Sequence, residues 1–323
     1  MTVADGVGAV SAAATGLVAY RTSTAIRRQL TWVDRSGTAR GTVGDPDATL
    51  SNPRVSPDGR RVVVHRTVLG NQDLWLLDGP RISRVTFDAA NDAVPVWSPD
   101  GTRVAFRSNR TGQLDLYQKL INGAGVEERL VASDEFKYPT SWAPDGSSLL
   151  YGAIPPSDND LWIVPLTGGR TPSVVLKTQF RESWGAFSPD GRWVAYFSNE
   201  SGRSEVYVRP FVSPSTTGAA GGQWQISTTG GVYPAWRPDG QELYYLNPAG
   251  GMMATPIVVT GSTLEPGAAV LLFPARIVGG GGDNQQMRQY DVAPDGRFLI
   301  NTELPGAAAP ITLIQNWNPD AKK

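Results

Sequence analysis

The sequence contains no cysteine and a single histidine. Without cysteine there is no disulfide, no thiolate nucleophile and no cysteine-based metal site. With His65 alone, a Ser-His-Asp triad or a histidine-rich metal centre would depend on that residue or not exist. His65 follows the apolar run Val62-Val63-Val64, where a packing or surface role is expected. Charge is also scarce: 18% of residues are charged and the formal net charge is −1, so nothing favours nucleic acid or an anionic membrane. The longest weakly apolar stretch, Val7 to Tyr20, is interrupted by Ser11, Thr15 and Gly16 and is too short and polar to cross a bilayer. No basic segment precedes an apolar run at the start of the chain, so no signal peptide is read there. The Gly-x-Ser-x-Gly elbow of many hydrolases is missing as well.

What is present is punctuation. The chain of 323 residues carries 36 glycines and 25 prolines, spread between short apolar runs. Such scattering signals many tight turns joining short strands. A Pro-Asp-Gly triplet recurs six times, at Pro57, Pro99, Pro144, Pro189, Pro238 and Pro294, with intervals of 42, 45, 45, 49 and 56 residues. A period in the forties with several strands per unit is the signature of propeller blades. Pro fixes φ, Asp bonds the backbone two residues on, and Gly accepts positive φ, so each triplet reads as a turn between a first and a second strand. Two residues before each proline stand Val55, Trp97, Trp142, Phe187, Trp236 and Val292. The third strands carry Trp75, Tyr117, Trp162 and Tyr207, each preceded two residues earlier by an acid: Asp73, Asp115, Asp160 and Glu205. An acid that recurs in every blade builds the blade, and the turn aspartates fall under the same reading.

A degenerate unit precedes these, with strands at Ala9 to Ala13, Leu17 to Tyr20, Gln29 to Asp34 and Ala39 to Val43. The last unit has Gln289 to Ala293, Phe298 to Thr302 and Ile311 to Trp317, and then runs out. The expected fold is therefore all-β: a single β-propeller over residues 1–323, of four-stranded blades, seven favoured and six the alternative. An N-terminal strand, Thr2 to Val7, closes the last blade against its third strand and removes the open seam. Three features break the repeat: Pro155-Pro156, the Gly/Ser/Thr-rich stretch Ser213 to Gly222, and Pro274 to Arg288 with glycines from Gly279 to Gly282, which could fold over the channel.

In a propeller, the loops that lead into the first strands share one rim of the central channel, and function collects on loops. The residues supplied there differ from blade to blade: Asp92, Lys137, Arg181, Glu182, Trp184, Tyr233 and Arg288. A mixed-charge mouth with aromatics suits a polar ligand or a peptide loop; the competing reading is a salt-bridged, packed rim. No catalytic residue, bound metal or cofactor is expected. Ser157-Asp158-Asn159-Asp160 offers oxygen ligands, and calcium near Asp158 and Asp160 is the lesser alternative, because the Gly and distal Glu of a calcium loop are missing.

The run Trp97-Ser98-Pro99-Asp100-Gly101, followed by Val104-Ala105-Phe106-Arg107-Ser108-Asn109-Arg110, resembles the PD40 repeat of TolB-like propellers, over nearly the whole chain. Leu30-Thr31-Trp32-Val33-Asp34-Arg35, Arg84-Val85-Thr86-Phe87-Asp88, Asn199-Glu200-Ser201-Gly202-Arg203-Ser204-Glu205-Val206-Tyr207-Val208-Arg209-Pro210-Phe211 and Ile314-Gln315-Asn316-Trp317 are similar to the C-terminal propeller of bacterial transmembrane serine/threonine kinases. The chain has neither the kinase glycine-rich loop nor the His-Arg-Asp catalytic loop. The resemblance implies an extracytoplasmic, periplasmic setting and a sensory or protein-binding role. With the composition above, the expectation is a non-catalytic monomer whose partner is a protein or small polar ligand, with no nucleic acid and no membrane insertion of this chain. The alternatives are a periplasmic docking scaffold like TolB, or a channel-based carbohydrate-active lyase or hydrolase.

Overall fold

The computed structural model describes residues 7–13, 17–22, 27–154, 159–213, 221–283, 287–304 and 311–314, and those residues contain strands and no α-helix. Four consecutive four-stranded antiparallel sheets follow the repeat in chain order. Blade 1 is Leu50–Val55, Arg61–Val68, Asn71–Asp78 and Arg81–Arg84. Blade 2 is Asp92–Trp97, Arg103–Ser108, Asp115–Leu120 and Glu128–Val131. Blade 3 is Phe136–Trp142, Ser148–Ile154, Asp160–Pro165 and Ser173–Leu176. Blade 4 is Glu182–Phe187, Trp193–Ser198, Glu205–Pro210 and Trp224–Gln225. Blade 5 is Val232–Trp236, Glu242–Leu246 and the long strand Gly251–Thr260, which pairs with both Val270–Pro274 and Thr263–Pro266.

Blade 6 joins distant parts of the chain. Tyr290–Val292 and Phe298–Glu303 are completed by Arg28–Val33 and Ala39–Val43. The first strands of the six sheets touch in sequence around an axis, and Tyr290–Val292 returns to Leu50–Val55. Closure thus uses N-terminal chain, as expected, but with a different segment. Thr2 to Gly6 lie outside the described residues. Val7–Ala12 pairs with Val18–Thr22, which pairs with Thr312–Ile314, in a three-stranded sheet hydrogen-bonded to no other among the described residues. The degenerate first unit is accordingly divided between two sheets. Burial gives the reason: Leu30 and Val33 enter the core opposite Phe298 and Asn301, whereas Leu313 stays exposed. Thr302 Oγ1 also donates to the Gln29 carbonyl at 2.9 Å, fixing the register.

The triplet turns behave as their residue types dictate. All six glycines hold φ between 66° and 84°. In every turn the aspartate Oδ1 accepts the amide two residues on, at 2.9 to 3.1 Å. The recurring third-strand acids are buried and paired: Asp73 with Arg84, Asp115 with Arg129 and Lys137, Asp160 with Lys177, and Glu205 with Arg203. Four first strands contain a bulge whose residue five before the triplet proline adopts positive φ: Asn52, Val94, Trp184 and Tyr233, at 50° to 57°. Side chains rarely take that conformation, and a bulge re-aims the residues after it. Here those residues are the ones that line the axis.

Candidate functional site

The axial cavity opens on the side of the triplet turns. It has a volume of about 440 Å³ and is lined by the first strands of the six blades described above and by the six triplet prolines. Its wall is formed at the position three before each proline: Arg54, Val96, Ser141, Ala186, Ala235 and Asp291. The next position supplies Trp97, Trp142, Phe187 and Trp236, which lock the ring as well as lining it. Trp97 Nε1 donates to the Arg54 carbonyl at 3.0 Å, and Trp236 Nε1 to the Ala186 carbonyl at 3.1 Å, each reaching the preceding blade. Between blades 3 and 4, Ser141 Oγ accepts the Phe187 amide at 3.1 Å.

Charge enters the cavity at one point, the junction of blades 6 and 1. Asp291 Oδ2 accepts the Val55 amide at 2.8 Å. Asp291 Oδ1 takes an ion pair from Arg288 and lies 3.6 Å from Arg54 Nη1. Arg288 is held by its Nε bond to the Tyr290 carbonyl at 3.0 Å and lies over the Tyr290 ring. Arg54 is buried, and its Nε has no hydrogen-bond partner among the described residues. Burial, followed by repulsion from Arg288, pulls the Arg54 guanidinium down to about 9, so it remains a cation at neutral pH. Asp291 is the only acid among the lining residues, so the cavity keeps an excess of positive charge.

Of the seven residues expected from sequence, only Arg288 lines this cavity. Asp92 is fully buried and held by Arg110 Nη2 at 3.0 Å to both oxygens. Lys137 is buried, its Nζ bonded to Asp115 and to the carbonyls of Ser133 and Glu135. Glu182 is buried and accepts from the Thr178 hydroxyl; burial pushes its carboxyl up. Trp184 packs tilted against Tyr138 and edge-on against Tyr233, which meets Phe197 edge-on, at centroid distances of 5.3 to 5.6 Å. Arg181 is partly exposed and pairs with Asp283 at 2.7 Å. That contact ties the glycine-rich insertion before blade 6 to the start of blade 4, on the rim opposite the cavity mouth.

His65 is buried with its Nδ1 unpartnered, and burial with Arg107 and Arg28 nearby holds the imidazole near 3. Asp158 lies outside the described residues, and the Asp160 carboxylate is 3.0 Å from Lys177 Nζ. Among the described residues no three His, Cys, Asp or Glu side chains converge as a metal site. Arg54 and Asp291 were not anticipated. The available signal was a charged residue three positions before the triplet, in two units that ring closure makes neighbours.

The fold recurs in a protein from Agrobacterium tumefaciens assigned to TolB, with TM-score 0.64, 19% identity, and 87% of this chain and 99% of that one covered. A prolyl endopeptidase structure aligns at TM-score 0.52 and 16% identity, over 97% of this chain and 50% of that one. These similarities show the fold alone. In sequence, a TolB homolog of Chlorobium luteolum is 29% identical over 166 residues, 49% of this chain and 36% of that protein. The chain spans about half or less of the length of the curated relatives it matches first. The PD40 family, described as the TolB beta propeller domain, matches residues 14–208, which is more than half of the sequence. The chain therefore belongs to the PD40 TolB beta-propeller family.

Proposed function

We propose that this propeller is a non-catalytic binding module whose axial cavity, on the triplet-turn side, receives part of a protein or a polar ligand. One observation carries the reading: a cavity of about 440 Å³ to which every blade contributes, with aromatic and proline walls and one charged corner. Concave, largely apolar sites with a few placed polar groups are where ligands bind. The absence of cysteine and the neutral, buried His65 support binding over catalysis. The family resemblance supports a role in docking protein partners, as a receptor or a scaffold, and an extracytoplasmic location. No helix of the described residues is long and apolar enough to cross a membrane.

The test is to fill the cavity. Ala186 and Ala235 face it from adjacent blades and make no side-chain hydrogen bond. Ala235→Arg or Ala186→Trp should abolish capture of partners from an envelope extract that the unaltered protein retains, with circular dichroism unchanged. Retention of the same partners by both blocked proteins would move the binding surface elsewhere.

A further inference from the structure

The charged corner says which chemistry the cavity accepts. Arg54 and Arg288 face one carboxylate, Asp291, whose two oxygens are already taken by the arginines and by the Val55 amide. Asp291 carries one negative charge against two cations, so one guanidinium charge is left without a counter-charge. Arg54 is more than nine-tenths buried, lines the cavity, and keeps an unpartnered Nε. A buried donor left unpaired is costly, and a buried cation without full compensation more so. The remaining wall offers only hydroxyls and apolar or aromatic surface: Ser56, Thr140, Ser141, Trp97, Trp142 and Trp236. Among the described lining residues no second acid competes for the arginines.

We propose that Arg54 and Arg288 form a receptor for a single carboxylate carried by a polypeptide, an Asp or Glu side chain or a chain terminus, inserted from the triplet-turn mouth. This rests on the binding role proposed above and names its ligand class. A carboxylate supplies one negative charge, which neutralises the surplus cation, and its two oxygens match the planar donors of arginine. A phosphate dianion would carry more charge than the corner has to offset and would meet Asp291. The aromatic and proline walls, drawn from all six blades, then pack the residues flanking the acid.

The experiment uses a random heptapeptide display library, panned on the whole protein and on three variants: Arg54→Gln, Arg54→Lys, and Arg54→Gln combined with Asp291→Asn. The double variant removes one cation and one anion together, so the net charge of its corner is unchanged and its folding serves as the control. Peptides enriched on the unaltered protein should carry an acid. Sodium acetate should compete more strongly than equimolar phosphate. Affinity should fall about tenfold to a hundredfold in Arg54→Gln and in the double variant, and recover in part with Arg54→Lys. Enrichment of neutral peptides that all three variants retain, but that Ala235→Arg loses, would overturn the carboxylate receptor and leave the cavity as the binding site. Enrichment unaffected by Ala235→Arg, or no enrichment on the unaltered protein, would overturn both.

Discussion

Asp115 and Lys137 provide a quantitative test of whether the buried rim charges bind a ligand or hold blades together. Asp115 opens the third strand of blade 2, and Lys137 lies in the first strand of blade 3. Lys137 Nζ makes three contacts: Asp115 Oδ1 at 3.0 Å, the Ser133 carbonyl at 2.9 Å and the Glu135 carbonyl at 2.7 Å. The side chain is about 1% exposed, so no water replaces a lost partner without rearrangement. Asp115→Ala leaves this ammonium with two carbonyls and no counter-charge. Removing one partner of a buried pair costs about 3–5 kcal/mol. Lys137→Met is milder, because Asp115 keeps Arg129 and the Thr111 hydroxyl, at 2.7 Å; a loss of roughly 1–2 kcal/mol is expected. Urea denaturation followed by tryptophan fluorescence reads both values as a shift of the midpoint at constant slope. Although burial raises the Asp115 carboxyl, the bonds from Thr111, Lys137 and Arg129 outweigh it and hold the group below its ordinary range. Its contribution is therefore present above the unfolded carboxylate pKa and lost as pH falls through the folded one. A cost below about 1 kcal/mol for Asp115→Ala would refute the structural assignment of this pair.

Two further outcomes follow from other parts of the ring. With His65 held neutral to about 3, the unfolded chain binds a proton that the folded one does not, so stability should fall as pH drops from about 6.5, by up to roughly 1.4 kcal/mol per unit; His65→Leu should flatten that slope in acid-denaturation curves. A truncation beginning at Arg27 should fold, whereas one beginning at Pro46 strips Arg28–Val33 and Ala39–Val43 from blade 6, exposes the Phe298–Glu303 edge and should aggregate on size-exclusion chromatography.

The blades were legible because their information is local. Pro-Asp-Gly dictates its turn within three residues, and the acid before each third-strand aromatic recurs at fixed spacing. Ring closure was only half legible. Leu17 to Tyr20 and Gln29 to Asp34 both read as strands, but which sheet receives them depends on pairing with Phe298–Glu303, and local pattern does not encode that distance. The rim residues failed for a related reason. Asp92, Lys137 and Glu182 occupy equivalent positions, seven before the triplet proline, and charge there suggests exposure. Each is buried, because each finds a partner there: Arg110 from the loop after the second strand for Asp92, Asp115 from the neighbouring blade for Lys137, and Thr178 from the preceding loop for Glu182. The acid Asp115 was itself assigned to structure from its recurrence; a recurring buried acid demands a cation, and that was the available pointer to Lys137.

The position three before the proline obeys the opposite logic. There the blades differ, from Val96, Ser141 and the alanines to Arg54 and Asp291, while the position after it stays apolar or aromatic. A position that only built the ring would be filled alike in each blade, as the turn aspartates are. The two charged members stand at the single junction made by chain-distant segments, where Asn52 Nδ2 also bonds the Arg288 carbonyl at 2.9 Å and Asn301 Nδ2 the Leu50 carbonyl at 3.0 Å. Site and seam are therefore one structure. Opening the junction separates Arg54 from Asp291 and Arg288, so a ligand bridging the arginines binds the closed ring alone. By mass action its binding energy adds to closure. The joint that closes the ring, between segments far apart in the chain, is thereby the one that an occupied cavity reinforces.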